Sequence, residues 1–314
     1  MPDWSPHRRA VLHGLAGAAL AQSARAAASA DASGTFIAIG DWGRDGLMHQ
    51  SDVAAAMARA ASEIGSRFVI STGDNFYPAG VKSISDPQWK TSFEDVYAAP
   101  ALQTPWHVAL GNHDYRGSAL AQMAYSRVSA RWQMPSPYFR KAATETGIPD
   151  LEIFYLDTTP LAGGWGEKLE DMAHGRQPPH ESRKQIAWLS ESLSRSSAAW
   201  KVVVGHHPIY SGGRHGDTPG LVETIQPILK AHGVQAYLNG HDHALQHIRR
   251  GDIDYICSGS GASAGSARAV EGTRFRSSRA GFAMFSLASE SLDLEFRDFT
   301  GATLYQASLP RARG

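Results

Sequence analysis

The sequence predicts an α/β layered fold, in which buried strands alternate with helices, and three observations carry the prediction. Five short runs, Phe36–Ile39, Phe68–Ile70, His107–Leu110, Val202–Val204 and Ala236–Leu238, are apolar on successive residues rather than alternately. That is the pattern of strands covered on both faces. Helical segments lie between them. Across Ser51–Glu63 and just beyond, Val53, Ala56, Met57, Ala60 and Ile64 recur at helical spacing, and Arg183–Ser194 reads as a second helix. Each of the five runs ends in a polar cluster containing glycine, and in α/β sheets ligands gather beyond the carboxyl ends of the strands.

The chain begins with a targeting pattern. His7-Arg8-Arg9 precedes a short apolar stretch from Ala10 to Leu20, followed by small residues through Ala30. A charged segment, a short apolar segment and an A-x-A site describe a signal peptide over residues 1–30, cleaved after Ala26 or after Ala30. The paired arginines point to the twin-arginine route, which carries folded proteins. The expected location is periplasmic or secreted, in a bacterium. The apolar stretch is too short to span a bilayer, which takes about 20 residues.

Residues 31–314 are expected to form a single catalytic domain. Lys+Arg and Asp+Glu both number 30 and are interspersed, so nothing in the charge calls for nucleic acid or an acidic membrane. With one cysteine, Cys257, an intrachain disulfide is impossible and a Cys-based zinc site is excluded. Cys257 lies in the apolar run Tyr255–Cys257 and reads as a small core residue. Fourteen histidines exceed the usual structural need, and histidine is the commonest metal ligand.

Gly80–Pro87 and Leu161–His180 read as irregular, the second as a long exposed loop before the Arg183–Ser194 helix. Strand Ile153–Leu156 precedes it. Near the C-terminus, Phe282–Leu287 and Leu292–Phe296 alternate, which predicts antiparallel strands of a second sheet. His107, inside a strand run, reads as a core histidine, and His174, His180, His232 and His247 as structural or surface residues.

The chemistry lies in the clusters: Gly40-Asp41-Trp42-Gly43, Gly73-Asp74-Asn75-Phe76-Tyr77, Gly111-Asn112-His113-Asp114, Gly205-His206-His207-Pro208 and Gly240-His241-Asp242-His243. They offer carboxylate, phenol, amide oxygen and imidazole, a mixture suited to a borderline-to-hard transition metal. Any one such cluster is weak evidence, but five at strand ends are strong.

As a set the clusters resemble the metallophosphoesterase pattern, and Tyr77 after Gly-Asp-Asn-Phe is similar to the purple acid phosphatases. Ala121–Ser126, Arg131-Trp132, Met134–Phe139 and Ser211–Pro219 resemble the small tartrate-resistant type, so the likeness runs from Gly40 to Gly261. It implies a four-layer αββα sandwich of two mixed β-sheets flanked by helices. It also implies two metal ions: Fe(III) held by Asp41, Asp74, Tyr77 and His243, and a divalent iron, zinc or manganese held by Asp74, Asn112, His206 and His241, with Asp74 bridging. The implied activity is an acid phosphatase that hydrolyses small-molecule phosphomonoesters by in-line attack of a metal-bound hydroxide. His113 and His215 would contact the transition state and protonate the leaving group, while Asp114 and Asp242 would orient the ligands. A phosphodiesterase or nucleotidase of the same fold is the alternative, and a non-catalytic phosphate- or metal-binding protein a third reading. His207 stands where the tartrate-resistant enzymes usually carry tyrosine, and packing is its expected role. The 161–180 loop differs in sequence from the restraining loop of the mammalian enzymes. No nucleic-acid partner, no membrane contact after signal removal and a monomeric state are expected.

Overall fold

Adjacent residues of a covered strand must face two different cores, and β1 (Gly34–Ile39) shows it: Phe36 and Ala38 enter one apolar cluster, Ile37 and Ile39 another. The structure, a computed structural model, describes residues 34–162 and 179–311. The expected signal peptide and most of the 161–180 loop lie outside the described residues.

After β1 comes helix α1 (Gln50–Ile64), which buries Val53, Ala56, Met57 and Ala60 along one face. It ends at Gly65, whose φ of 63° allows its N–H to close on the Ala61 carbonyl. Strands β2 (Val69–Ser71) and β3 (Trp106–Val108) join β1 in parallel, and β4 (Trp132–Gln133) completes that side. The chain then builds another sheet from β5 (Phe139–Lys141), β6 (Leu151–Tyr155), β7 (Trp200–Val204), β8 (Ala236–Asn239), β9 (Leu245–Arg250), β10 (Ile253–Ser258) and β11 (Thr273–Ser277). Helix α2 (Pro179–Arg195) and the short helices Pro219–Thr224 and Gln226–Ala231 connect its parallel strands. Finally β12 (Gly281–Leu287), β13 (Ser291–Asp298) and β14 (Thr303–Pro310) return to the first sheet. The orders are β14-β13-β12-β1-β2-β3-β4 and β11-β9-β10-β8-β7-β6-β5.

Two mixed seven-stranded sheets thus pack face to face. Phe36, Phe68 and Phe285 of the first sheet and Ile153, Val202, Val204 and Leu238 of the second share the central core. Phe36 stacks between Phe68, at 5.0 Å, and Phe285, at 4.8 Å. On the outer face of the second sheet, Val203 and Tyr237 meet Leu189, Leu193, Leu221 and Leu229 from the helices. The outer face of the first sheet packs on α1 and on an aromatic cluster of Trp42, Phe93, Trp106 and Trp132. These are the four layers expected.

One expectation is corrected. The strands predicted as Phe282–Leu287 and Leu292–Phe296 are antiparallel, but they extend the first sheet, with β12 pairing directly with β1. Alternation reports which residues are covered and carries no information about the partner strand. Helix α2 also begins at Pro179, earlier than expected.

His107 is a core histidine, as expected. Its ring stacks 4.8 Å from Phe68, and its Nδ1 lies 3.2 Å from the Tyr155 hydroxyl across the sheets. Burial, with a smaller push from Lys141, lowers its pKa from 6.5 to about 3. The unfolded chain therefore binds a proton that the fold refuses, so this histidine's stability term is complete above pH 6.5 and is lost as pH falls toward 3. Replacing His107 by Phe should flatten the acid limb of a urea stability–pH profile in that window. An unchanged slope would show that the ring is protonated within the fold.

Candidate metal centre

All five clusters stand directly after strands, but the strands belong to different sheets. Asp41, Asp74 and Asn112 follow β1, β2 and β3 of one sheet, while His206 and His241 follow β7 and β8 of the other. The site is the seam where two sets of carboxyl ends meet. The chain turns sharply there. Asp41, Asp74 and His241 adopt φ of 60°, 50° and 69°, a region costly for side chains other than glycine and concentrated at functional sites. Gly73, at φ 95°, could not be replaced without a Cβ pressing on the His206 ring and the Gly111 backbone.

Two donor groups converge and share Asp74. In the first, the Tyr77 hydroxyl lies 2.9 Å from Asp41 Oδ1, 2.8 Å from Asp74 Oδ2 and 3.1 Å from His243 Nε2. In the second, Asn112 Oδ1 lies 3.1 Å from His206 Nε2 and 3.0 Å from His241 Nδ1, and those two nitrogens are 3.2 Å apart. His206 Nε2 is also 3.4 Å from Asp74 Oδ1. Each carboxylate oxygen of Asp74 therefore addresses one group. Asp41, Asp74 and His206, all buried, form the middle of the arrangement, with ligand atoms within 4.8 Å of one another.

The donor chemistry fits metal ions. His206 Nδ1 donates to the Thr72 carbonyl at 3.0 Å, which leaves Nε2 a bare lone pair aimed at two oxygen acceptors. Acceptors facing acceptors repel unless a proton or a metal ion sits between them. Donors that share an ion at about 2.0–2.2 Å lie roughly 3.0–3.5 Å apart, the spacing found here. Without a cation, the charges compete. Burial pushes the Asp41 carboxyl well up, and the neighbouring Asp74 adds to it. Burial opposes charge on Asp74 and His206 too, but each outweighs it for the other, so Asp74 is pulled low and His206 rises to about 9. Burial and two adjacent carboxylates hold the Tyr77 phenol protonated.

The surrounding shell fixes these groups. The Asp114 carboxylate accepts from the Gly111, Asn75 and Gln122 N–H groups, clamping the loops that carry Asn112 and Asp74. Asp242 accepts from the Ser211 hydroxyl and from the His215 backbone and Nδ1, both about 3 Å away. Among the described residues neither carboxylate bonds a side chain of the two donor groups; both hold the backbone of neighbouring loops. His113 stands 4.4 Å from the Tyr77 ring, with Nδ1 donating to the Pro78 carbonyl and Nε2 3.9 Å from Asp74. The His215 ring lies tilted against His241 at 4.1 Å, and His207 packs against the same ring at 4.4 Å. His207 Nδ1 bonds the Thr158 hydroxyl, which also accepts both the His206 and His207 amides, so the packing expected of His207 is found. All nine residues expected from sequence meet at this seam.

Three contributors were not expected. Thr158 positions His206, Ser263 holds His243 Nδ1 at 3.0 Å, and Arg44 lies over the Tyr77 ring. Arg44 directly follows the first cluster and was the one visible signal; the others are single polar residues in unremarkable contexts.

The chain matches the calcineurin-like phosphoesterase family model over residues 34–245. It is 38% identical over 288 residues to purple acid phosphatase 4 of Arabidopsis thaliana, covering 88% of this chain and 83% of that protein. It is 35% identical over 295 residues to tartrate-resistant acid phosphatase type 5 of Homo sapiens, covering 88% and 90%. Among solved structures it superposes with a TM-score of 0.76 and 25% identity on GAP50, the anchor in the inner membrane complex of Plasmodium, over 89% of each chain. A purple acid phosphatase from yellow lupin seeds shares the fold at a TM-score of 0.67 and 13% identity, over 89% of this chain and 54% of that one.

Replacing Asp114 by Ala would leave at least three buried N–H groups unpaired, each costing about 1–3 kcal/mol. The variant should fold with a lower melting temperature and bind less metal per chain. Full metal content at parental stability would show that the clamp is dispensable.

Proposed function

Since the chain belongs to the calcineurin-like phosphoesterases, and within them to the purple acid phosphatases, we propose that it is a dinuclear-metal acid phosphatase acting on small-molecule phosphomonoesters. The observation that carries the proposal is the pair of donor groups sharing Asp74. Asp41, Asp74, Tyr77 and His243 would hold a ferric ion, matching two carboxylates and a phenolate to a trivalent charge. Asp74, Asn112, His206 and His241 would hold a divalent iron, zinc or manganese. When bound, the ions supply Lewis acidity, which activates water and neutralises charge on the phosphoryl oxygens.

The remaining work belongs to the chain. His113 borders Tyr77 and Asp74 with its Nδ1 fixed by a carbonyl, so Nε2 is presented to a bound phosphoryl group. His215 is tied to Asp242 through Nδ1, and among the described residues its Nε2 makes no hydrogen bond. That atom is the proposed proton donor to the leaving alkoxide. The half-exposed His215 side chain suits a group that must meet varied leaving groups. A monomer is proposed, with residues 31–314 as one catalytic domain. Residues 1–30 are read as a twin-arginine signal that delivers the enzyme to the periplasm or medium. The three-part sequence pattern supports this, and among the described residues no helix is long and apolar enough to cross a membrane.

The metal-loaded protein should hydrolyse p-nitrophenyl phosphate much faster than its diester, show a visible absorption band, and lose both activity and colour on chelation. Tyr77→Phe should remove the band, and a persisting band would reject Tyr77 as ferric ligand. A diester preference would instead favour a phosphodiesterase, and no turnover with two metals bound would favour a binding protein. His215→Ala should slow alkyl phosphates by about 10²-fold and aryl phosphates with good leaving groups much less. Equal losses across leaving groups would exclude the acid role.

A further inference from the structure

Among the described residues, Arg44 is the cationic side chain that lies over the ring of Tyr77, a proposed ferric ligand. It extends from the loop that carries Asp41, and the preceding residue, Gly43, receives the Tyr77 amide on its carbonyl at 2.8 Å. Its guanidinium carbon lies 3.7 Å from the centroid of the Tyr77 ring, the stacked geometry of a cation–π contact. Its backbone amide is anchored by the buried Gln50 side chain at 2.9 Å, which sets where the arginine starts. Among the described residues no carboxylate pairs with the guanidinium, and its Nε is buried without a hydrogen-bond partner. Arg44 is half-buried, and a charge left without a counter-charge beside a buried ring acts on that ring.

We infer that Arg44 is a positioning and tuning residue for Tyr77, holding the ring over the metal seam and lowering the energy of its electrons by a fixed positive charge. The inference rests on the reading of Tyr77 as a ferric phenolate. In such a centre the visible band moves an electron from the phenolate to the metal and leaves a positive hole on the ring. A cation 3.7 Å from that ring opposes the hole and so raises the energy of the transition. The same charge favours gain of an electron by the nearby ion, so it raises the ion's reduction potential. Planar stacking alone would do neither.

The test compares the visible spectrum and reduction potential of the metal-loaded parent with those of Arg44→Met and Arg44→Lys. Methionine keeps much of the bulk and removes the charge, whereas lysine keeps the charge without the planar stack. Arg44→Met should move the band to longer wavelength and lower the potential, and Arg44→Lys should lie closer to the parent in both. Unmoved bands in both variants, or equal shifts, would overturn the inference, because the effect would then be packing or nothing. Absence of any visible band in the iron-loaded parent would instead reject the ferric phenolate reading itself. If Arg44→Met fails to fold, the lysine variant with Arg44→Gln decides on the same readouts.

Discussion

The buried carboxylate of Asp74 is the interaction on which the site depends. A lone carboxylate is expensive to bury, and Asp74 is compensated from three directions: the Tyr77 hydroxyl, the His113 amide and the His206 ring. The first two come from the loops after β2 and β3, and the third comes from the opposite sheet. One side chain therefore links the carboxyl ends of both sheets. Asp41 sits beside it in the same seam, and burial, together with the charge of Asp74, pushes its pKa well up when no cation is present. Metal binding and proton release are coupled in such a place, because the ligands must give up their protons to coordinate.

The sheets exist to hold that seam. Their shared core, with Phe36 stacked between Phe68 and Phe285, fixes the spacing between the strand ends that carry Asp41 and Asp74 and those that carry His206 and His241. The left-handed backbone at Asp41, Asp74 and His241 is a strain that packing on both sides maintains. Residues with no place in the chemistry complete the frame. The Ser71 hydroxyl links the Trp42 indole to the Asn75 amide, and Asn75 in turn reaches Asp114 and Gln122. Burial of this polar chain is tolerable because its members satisfy one another.

The layered class and the metal clusters were legible because each had a strong local signature. Consecutive apolar residues betray a strand covered on both faces, and Gly-Asp or Gly-His after such a run marks a strand end that must turn. Pairing partners were not legible. β12 lies more than 200 residues from β1, and nothing local in Phe282–Leu287 names the strand it joins. The split of the five clusters between two sheets was hidden for the same reason. Thr158, Ser263 and Arg44 escaped because they act through two hydroxyls and a stacked guanidinium, contacts created by folding and not by spacing. His207 was legible in role but not in partner: it packs on His241 and is held by Thr158.

The central claim is that Asp74 joins two ions. Metal analysis of Asp74→Ala beside Asp41→Ala and Asn112→Ala tests it most directly. A shared bridge predicts that Asp74→Ala loses both equivalents together, while Asp41→Ala and Asn112→Ala each lose chiefly one. An Asp74→Ala protein that folds and retains a full equivalent of either metal would contradict the bridge and the dinuclear site built on it.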